Sequence, residues 1–252
     1  MEGIIKTALI TGASSGIGKA TAEEFAKMGI RMILIARRID RITSVDWGVE
    51  VLPLQLDVTN PGNFMEDLPP EWREIDILVN NAGLSLTLDK LYEGNPVNWD
   101  VMIDTNIKGL LYMTRALLPG MIVRKRGDII NISSISGYES YPGGNVYCAT
   151  KHAVRAISHA TRLDCLGMGV RVTDMAPGFV ETEFSEVRWS DKKRADEFYA
   201  SVEALQAKDI AEAIAFCVTR PPHVDIAQML IMPTVQASTV HVHKKCGAGV
   251  FD

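Results

Sequence analysis

The chain has 252 residues, which is the length of one ordinary enzyme domain. Its composition, 47% hydrophobic and 23% charged, is typical of a soluble globular protein. The formal net charge of −5 and the pI near 5.6 argue against a nucleic-acid-binding protein.

Signals for a membrane or a secreted protein are missing from the sequence. No apolar run approaches about 20 residues, so no membrane-spanning helix is expected. The first residues lack the charged start and apolar core of a signal peptide. Cys148, Cys165, Cys217 and Cys246 lack paired spacing, which argues against a disulfide framework. We therefore expect a cytoplasmic location.

Short apolar runs alternate with amphipathic helices along the chain. Fully apolar strands separated by helices indicate a parallel sheet that is covered on both faces. We predict an α/β fold, with one doubly wound, Rossmann-like domain over residues 1–252 and a seven-stranded, mainly parallel sheet. The predicted strands are Ala8–Thr11, Met32–Ala36, Val51–Gln55, Ile77–Asn80, Asp128–Ser133, Val170–Met175 and Gln228–Met232.

A glycine-rich loop follows the first predicted strand directly. The segment GASSGIG, residues 12–18, leads into an amphipathic helix over about Ile17–Met28. Strand, glycine loop and helix in this order place backbone N–H groups and a helix N-terminus against a pyrophosphate. The spacing G-x-x-x-G-x-G matches neither a P-loop nor the G-x-G-x-x-G pattern. The predicted cofactor contacts of this loop are Gly12, Ser14, Ser15, Gly16, Ile17 and Gly18.

Two arginines end the second predicted strand. Arg37 and Arg38 stand there, and no carboxylate follows before Asp40. Folds that bind NAD place an acidic residue at this point, whereas arginine accommodates the 2′-phosphate of NADP. The two guanidinium groups can form forked, charge-assisted hydrogen bonds with that phosphate, and Ser14 or Ser15 is a candidate to join them. The sequence therefore predicts NADP as the cofactor.

The third and fourth predicted strands also end in candidate cofactor contacts. Asp57 and Val58 close the third strand, where an aspartate is placed to bind the adenine amino group. Asn80, Ala82 and Gly83 close the fourth strand with the amide and small side chains expected where a backbone passes close to a ribose. Ligands of open α/β sheets bind at the carboxyl ends of the strands, where all these residues fall.

Tyr147 and Lys151 are one helical turn apart, and Ser134 precedes Tyr147 by thirteen residues. Positions i and i+4 share a helix face, so a phenol, an ammonium and a hydroxyl can meet at one carbonyl oxygen. A nearby cation draws the pKa of a tyrosine from about 10 toward neutrality, where proton transfer is efficient. Alone, the pair is more typical of a half-buried tyrosine beside a surface lysine. Together with the glycine loop, it favours a catalytic role.

A polar segment with interspersed aromatic residues, about residues 181–205, follows the Pro177-Gly178 turn. We interpret it as a substrate lid of helix and loop that excludes water. Arg188 in this segment is the candidate for binding a substrate carboxylate through a forked pair. The alternative is an ordinary surface arginine.

The C-terminal tail, about residues 236–252, matches no functional motif. We expect it to pack on a neighbouring subunit or on the rim of the site. His241, His243 and Cys246 can be drawn as a metal site, but a fourth ligand and a closed geometry are missing. We therefore predict no metal.

With these residues in place, the chain resembles the short-chain dehydrogenase/reductase family across nearly its full length. Six motifs carry the resemblance in the expected order. They are Thr11-Gly12-x-x-x-Gly16-x-Gly18, Asn80-Asn81-Ala82-Gly83, Asn106, Ser134, Tyr147-x-x-x-Lys151 and Pro177-Gly178-x-x-x-Thr182.

The resemblance implies a role for each matched residue. Tyr147 would be the general acid–base group, and Lys151 would lower its pKa and bind the nicotinamide ribose. Asn106 would hold a water molecule that links Lys151 to solvent. Ser134 would hold the substrate oxygen, although it lies in the turn ISSISG, where the neighbouring serines are alternatives. The residues implied to line the nicotinamide and diphosphate are Pro177, Gly178, Val180 and Thr182.

Within the family, the chain looks closest to bacterial NADP-dependent 3-hydroxy acid dehydrogenases, which also oxidise serine and L-allo-threonine. The segments that carry this likeness are Ile75–Leu84, Met102–Pro119, Gly143–Lys151 and Thr182–Arg188. One departure is Ser15, which stands where many NADP-using relatives have a basic residue. More of the phosphate binding would then fall to the two arginines.

This likeness implies hydride transfer between NADP and a small 3-hydroxy acid of the L-serine, L-allo-threonine or 3-hydroxypropanoate/malonic semialdehyde type. Ser134, Tyr147 and Arg188 would contact that substrate. A reductase of another carbonyl compound, such as a sugar, steroid, pterin or acyl thioester, is the first alternative. A non-catalytic NADP sensor is the second, but such proteins usually lose the tyrosine or the lysine. The family also implies a homotetramer, through long helices predicted at Asn98–Leu117 and Asn145–Leu166.

Overall fold

A seven-stranded parallel sheet forms the centre of the computed structural model, which describes residues 6–245. The strands lie in the order β3-β2-β1-β4-β5-β6-β9, and every neighbouring pair runs parallel. This confirms the predicted doubly wound fold and all seven predicted strands to within two residues at each end. The strand bounds, with the short pair β7 and β8, are β1 Thr7–Thr11, β2 Arg31–Ala36, β3 Val51–Gln55, β4 Ile77–Asn80, β5 Gly127–Ile132, β6 Val170–Pro177, β7 Val180–Glu181, β8 Leu205–Gln206 and β9 Gln228–Ile231.

The central strands are apolar on both faces because helices cover both sides of the sheet. Every residue of β1 and β4 is buried. On one face, side chains such as Phe25 and Ile210 pack against the sheet. On the other face, Met113 and Leu117 do so. The helix bounds are α1 Gly16–Lys27, α2 Asp40–Thr43, α3 Phe64–Asp67, α4 Pro96–Ile103, α5 Leu110–Arg124, α6 Asn145–Asp164, α7 Phe184–Trp189, α8 Lys192–Ser201 and α9 Ala207–Val218.

The strand order reverses direction between β1 and β4. The chain builds outward from β1 through β2 to β3, then crosses back to place β4 on the other side of β1. The connections on the two sides leave in opposite directions, which opens a crevice at the carboxyl ends of these two strands. The glycine loop after β1 and the Asn80–Gly83 segment after β4 therefore meet at this crevice.

The predicted helix Asn98–Leu117 needs a correction. It is not one regular helix, because a π-helical segment, Asp104–Gly109, separates α4 from α5, and α5 continues to Arg124. Close packing accompanies the irregular segment. A Cβ at Gly109 would lie 2.6 Å from the Val58 side chain. Hydrophobic spacing does not distinguish an α turn from a π turn, so the sequence pattern missed it.

The predicted lid region is ordered as two helices between two very short strands. α7 and α8 follow one another, and β7 pairs with β8 in a separate two-stranded parallel sheet. The described part of the tail packs on this region within the same chain. The Phe179 N–H donates to the Gln236 side chain, and the Lys245 N–H donates to the Ser201 carbonyl. Residues 246–252 lie outside the described part.

Among the helices of residues 6–245, none is both long enough and apolar enough to cross a membrane.

Candidate active site

A large cavity lies at the carboxyl ends of the central strands and is bounded by the glycine loop, the end of β4, the start of α6 and the lid. Most residues predicted from the sequence to bind cofactor or substrate line it. The predicted residues that line the cavity are Gly12, Ser14, Ser15, Gly16, Ile17, Arg37, Arg38, Asp57, Val58, Ala82, Gly83, Ser134, Tyr147, Lys151, Pro177, Gly178, Val180 and Thr182.

The glycine loop presents the N-terminus of α1 to this cavity. Gly12 has φ +64, a left-handed conformation that glycine adopts without strain. The N-cap residue Ser15 makes no side-chain capping bond, and the first turn of α1 carries no acidic residue. The first N–H groups of the helix are therefore available to an anion, as a pyrophosphate site requires.

Gly18 does not line the cavity, and its predicted cofactor contact remains a prediction. A Cβ at this position would lie 2.4 Å from the Asn81 side-chain nitrogen and 2.5 Å from the Gly12 carbonyl oxygen. A side chain would therefore push α1 away from the strand ends. The missing side chain of Gly18 therefore allows close packing of the helix against the loop.

Asn80 also lies outside the cavity, and its predicted cofactor contact is corrected. Its side-chain nitrogen donates to Thr114 Oγ1 at 3.0 Å and to Asn131 Oδ1 at 2.8 Å, inside the protein. Asn131 in turn donates to Ser158. Successive side chains of a strand point to opposite faces, so the neighbouring Asn81 is the one that faces the loop. Its amide donates to the carbonyls of Thr11 and Gly12.

Arg37 and Arg38 are exposed at the rim of the cavity, where β2 ends. The Arg38 guanidinium donates to Ser15 Oγ at 3.2 Å, which connects the arginine pair to the glycine loop. Asp57 accepts from the backbone and the hydroxyl of Thr59. Partial burial would raise the pKa of Asp57, but these two hydrogen bonds and the charge of Arg37 hold it below its ordinary value. This end of the cavity therefore combines the guanidinium groups of Arg37 and Arg38 with the carboxylates of Asp57 and Glu183, of which Glu183 pairs with Arg38.

Three of the four predicted catalytic residues, Ser134, Tyr147 and Lys151, come together at the buried end of the cavity. Ser134 caps the short 3-10 turn Ile135–Gly137, and its hydroxyl accepts from the Ser136 N–H. Tyr147 and Lys151 lie on the buried face of α6, with the lysine Nζ 5.8 Å from the centre of the tyrosine ring. Lys151 Nζ donates to the Ile132 carbonyl at the end of β5. The hydrogen bond and the helix therefore fix the direction of the ammonium group.

The structure distinguishes Ser134 from the neighbouring serines. The hydroxyl of Ser133 is hydrogen-bonded to the buried carboxylate of Asp174 and is committed to it. The hydroxyl of Ser136 interacts with that of Ser134 and lies behind it. Ser134, which also lines the cavity, is the serine placed to meet a substrate oxygen.

The protein's own groups raise the pKa of Tyr147 above its ordinary value, contrary to the lowering that we expected from Lys151. Burial is the dominant cause, and the charge of Arg188 is the largest effect that opposes it, followed by a hydrogen bond with Ser134. Burial also lowers the pKa of Lys151 to about 8, partly offset by the charge of Asp174. Burial therefore disfavours the charged forms of both groups.

Asn106 is buried within the π-helical segment and does not line the cavity directly. Its side-chain oxygen accepts from the Leu84 N–H, and its nitrogen donates to the Leu84 carbonyl and to Thr150 Oγ1. Both N–H groups of the amide are thus used by protein partners. The side chain ties the π segment to the loop after β4 and to α6, one residue away from Lys151.

Arg188 belongs to the first lid helix and does not line the cavity directly, but its guanidinium lies close to Tyr147. Its guanidinium carbon is 5.0 Å from the centre of the Tyr147 ring and 4.9 Å from that of Phe184. Its Nε is buried and has no hydrogen-bond partner within residues 6–245, and the same holds for the hydroxyl of Tyr141. A polar donor buried without a partner is costly, so this position fits an acceptor that comes from outside the chain.

Among the residues of the site that were not predicted from the sequence are Tyr141, Ile132 and Glu183. Tyr141 belongs to the cluster around Tyr147, and its position two residues before the Gly143-Gly144 turn was an available signal. Ile132 contributes only a backbone carbonyl, which no side-chain pattern reveals. Glu183 lines the cavity near the arginine pair. It belongs to the lid segment, far from the arginines in sequence, so only the folded structure shows that they are close.

No group of three or more His, Cys, Asp and Glu in the described residues is arranged to hold a metal ion. The position of Cys246, which we considered with His241 and His243, lies outside those residues.

The sequence profile of the short chain dehydrogenase family matches residues 6–193. The NADP-dependent 3-hydroxy acid dehydrogenase of Schizosaccharomyces pombe is 46% identical over 252 residues, covering 95% of this chain and 97% of that protein. The protein of the same description from Salmonella typhi is 46% identical over 244 residues, covering 94% of this chain and 98% of its own length. The chain therefore belongs to the short chain dehydrogenase family of oxidoreductases.

Solved structures agree with this assignment. The closed form of a serine dehydrogenase complexed with NADP+ superimposes with a TM-score of 0.88 at 42% identity, covering 98% of this chain and 99% of that one. The serine dehydrogenase from Escherichia coli superimposes with a TM-score of 0.80 at 40% identity, covering 92% and 99%.

The lowered pKa of Lys151 predicts a pH-dependent stability. The ordinary pKa of 10.5 applies to the unfolded chain, so between about pH 8 and pH 10.5 the unfolded state binds more protons and stability rises with pH. We expect the unfolding free energy of wild type to gain about 3 kcal/mol relative to Lys151→Met over this range. Urea denaturation of both proteins from pH 7 to pH 10.5 measures the difference. If the unfolding free energies of the two proteins changed with pH in parallel, the lowered pKa of the buried Lys151 would be contradicted.

Proposed function

We propose that the protein is an NADP-dependent oxidoreductase that interconverts a small 3-hydroxy acid and its carbonyl form. Candidate substrates are L-serine, L-allo-threonine and 3-hydroxypropanoate, the last with malonic semialdehyde as product. The observation that supports this proposal most directly is one cavity with exposed Arg37 and Arg38 at one end and buried Ser134, Tyr147 and Lys151 at the other. The names of the relatives support the same chemistry.

The residues present fit a bound NADP. The open N-terminus of α1 and the tight Gly12 turn suit its diphosphate, and Arg37 and Arg38 suit its 2′-phosphate. Asp57 would contact the adenine side, Gly83 and Lys151 the nicotinamide ribose, and Thr182 the diphosphate. When bound, the nicotinamide supplies the hydride chemistry.

Tyr147 performs the proton transfer at the substrate oxygen. In the reductive direction its phenol donates a proton to the forming alkoxide, while Ser134 donates a hydrogen bond to the same oxygen. In the oxidative direction the phenolate accepts the hydroxyl proton. Because burial raises the pKa of Tyr147, positive charge is needed to make the phenolate accessible, and the cations of Arg188 and Lys151 lie 5.0 Å and 5.8 Å from its ring centre.

Asn106 positions the path by which the proton leaves. The side-chain N–H groups of Asn106 are both used by Leu84 and Thr150. The main-chain carbonyl of Asn106, in the π segment, would therefore hold the water molecule of this relay. Lys151 would pass the proton from the ribose and Tyr147 to that water.

Arg188 binds the substrate carboxylate. Its buried, unpartnered Nε and the unpartnered Tyr141 hydroxyl both lie in the neighbourhood of Tyr147. A three-carbon hydroxy acid has its carboxylate only a few bonds from the reacting hydroxyl, which matches the short separation of Arg188 from Tyr147. The lid, residues 181–205, would exclude water while the acid is bound.

The assembly and location remain those implied by the family. We propose that residues 1–252 act as one domain in a cytoplasmic homotetramer. Exposed apolar side chains on the long helices, including Leu111 and Tyr112 of α5 and Leu163 of α6, suit a helix-to-helix interface.

The direct test of the function is the initial rate of NADP+ reduction by L-serine and by 3-hydroxypropanoate. We expect turnover with NADP+ and hardly any with NAD+, since Arg37 and Arg38 favour the 2′-phosphate. Secondary alcohols without a carboxylate serve as substrate controls. NADP+ binding without turnover of either acid would contradict the proposed substrate class and point to another alcohol or ketone.

Replacing Tyr147 by Phe tests the proton-transfer role. Loss of the phenol should lower kcat by about a hundredfold or more, because general acid–base catalysis typically contributes that much. NADPH affinity, measured by fluorescence titration, should remain within about twofold. The matched control is Tyr92→Phe, which removes a hydroxyl from a side chain that is 78% exposed. Activity near that of wild type in Tyr147→Phe would refute the assignment.

Replacing Arg188 by Ala tests the carboxylate site. Charge-assisted hydrogen bonds are worth about 1.5–3 kcal/mol, so KM for the acids should rise about tenfold to a hundredfold. KM for a neutral alcohol should change little, whereas kcat should fall for both substrates, because Arg188 opposes the raised pKa of Tyr147. Arg194→Ala, on an exposed lid arginine stacked over Trp189, is the control. Equal effects of Arg188→Ala on both KM values would rule out this role.

A further inference from the structure

Glu183 connects the lid to the arginines beside the cofactor cavity. It is the N-cap residue of α7, the first lid helix. Its carboxylate pairs with two guanidinium groups on the other side of the cavity mouth, Arg38 at 2.9 Å and Arg41 at 2.5 Å. These residues are more than 140 positions away in the sequence, so the ion pairs fix the start of the lid against the end of β2.

Arg38 contacts both the glycine loop and the lid, the two segments that lie next to the proposed cofactor site. The same guanidinium nitrogen donates to Ser15 in the glycine loop and to Glu183 in the lid. Partial burial would raise the pKa of Glu183, but hydrogen bonds from Arg41 and Arg38 hold it below its ordinary value. Glu183 is therefore a carboxylate at neutral pH, bound to the arginine that we assign to the 2′-phosphate.

A carboxylate and a phosphate offer a guanidinium the same kind of acceptor oxygens. They also carry like charge, so each weakens the binding of the other when both lie beside Arg38. An exposed ion pair changes an equilibrium by only about twofold to fivefold. A phosphate with nearly two negative charges can therefore displace the Glu183 carboxylate.

The start of α7 leads directly to the catalytic tyrosine. Thr182 packs against Gly16 of the glycine loop, where an added Cβ would lie 3.2 Å from it. Phe184 follows Glu183 and stacks near Tyr147, with ring centres 5.6 Å apart. Movement of Glu183 therefore moves the part of the lid that covers Tyr147.

We infer that Glu183 is a specificity-determining residue that competes with the 2′-phosphate of the cofactor for Arg38. NADP releases the start of α7 from the arginines, whereas NAD, which lacks the phosphate, leaves it bound to them. This inference rests on the proposed function, in which Arg37 and Arg38 bind the 2′-phosphate.

The first experiment compares cofactor affinities of wild type and Glu183→Gln by isothermal titration calorimetry. Loss of the competing charge should tighten NADP+ binding by about threefold to tenfold, the effect expected for two exposed ion pairs. Binding of NAD+ should stay within about twofold. The control is Glu186→Gln on the same helix, which is not part of the Glu183 ion pairs. Unchanged or weaker NADP+ binding in Glu183→Gln would overturn the inference.

The variant Arg38→Gln distinguishes a failure of this inference from a failure of the proposed 2′-phosphate site. If Arg38 binds the 2′-phosphate, this variant weakens NADP+ binding and leaves NAD+ binding nearly unchanged. On that background, adding Glu183→Gln should have less effect than it has in wild type, because both act through the same guanidinium. Equal effects on the two backgrounds would overturn the competition while keeping the phosphate site. No loss of NADP+ affinity in Arg38→Gln would overturn both.

The second experiment observes the lid with a cofactor fragment. Trp189 ends α7 and packs on Phe198, so its fluorescence reports the position of this helix, with Trp189→Phe used to identify its share of the emission. Adenosine 2′-monophosphate should change the Trp189 emission of wild type, and adenosine 5′-monophosphate should not. Both should leave the emission of Glu183→Gln nearly constant. The same change in Trp189 emission with both fragments, or no change with either, would overturn the proposed release of α7.

Discussion

The close contact between the glycine loop and the end of β4 is the constraint on which the site depends. Asn81 holds this contact, since its side chain donates to the carbonyls of Thr11 and Gly12 while its backbone N–H donates to Thr11 Oγ1. The missing side chain at Gly18 leaves room for the Asn81 side chain in this contact. The crevice that receives the cofactor is therefore formed by backbone and small side chains, and its width is set before any ligand arrives.

The side chains at the buried end of the cavity lie in an environment that disfavours their charged forms. Tyr147 and Lys151 are nearly inaccessible to water, and burial shifts both pKa values away from the charged forms. Each residue that supplies charge or a hydrogen bond there, such as Arg188, Asp174 and Ser134, offsets part of this penalty. The proposed catalytic groups are thus held where small changes in nearby charge have large effects, because the local dielectric constant is low.

The sequence predicts the sheet and most of the cavity lining because both follow from local patterns. Strands appear as apolar runs, and the loop appears as glycines at fixed spacing directly after a strand. Asn80 was misassigned because the pattern marks the strand end but does not show which of two adjacent amides turns inward. The π segment was missed because its apolar spacing resembles that of an α-helix. Glu183 was missed because its partners lie far away in sequence, and local patterns contain no such information.

The π segment at Asp104–Gly109 has a consequence for how this chain can vary in length. A residue added to or removed from a helix rotates everything after it by about 100°. A π turn holds about one residue more than an α turn, so deleting one residue here would permit a regular helix that keeps the apolar face of α5, with Met113 and Leu117, toward the sheet. A one-residue deletion therefore rotates the rest of the helix if it falls within α5, but not if it falls within the π segment.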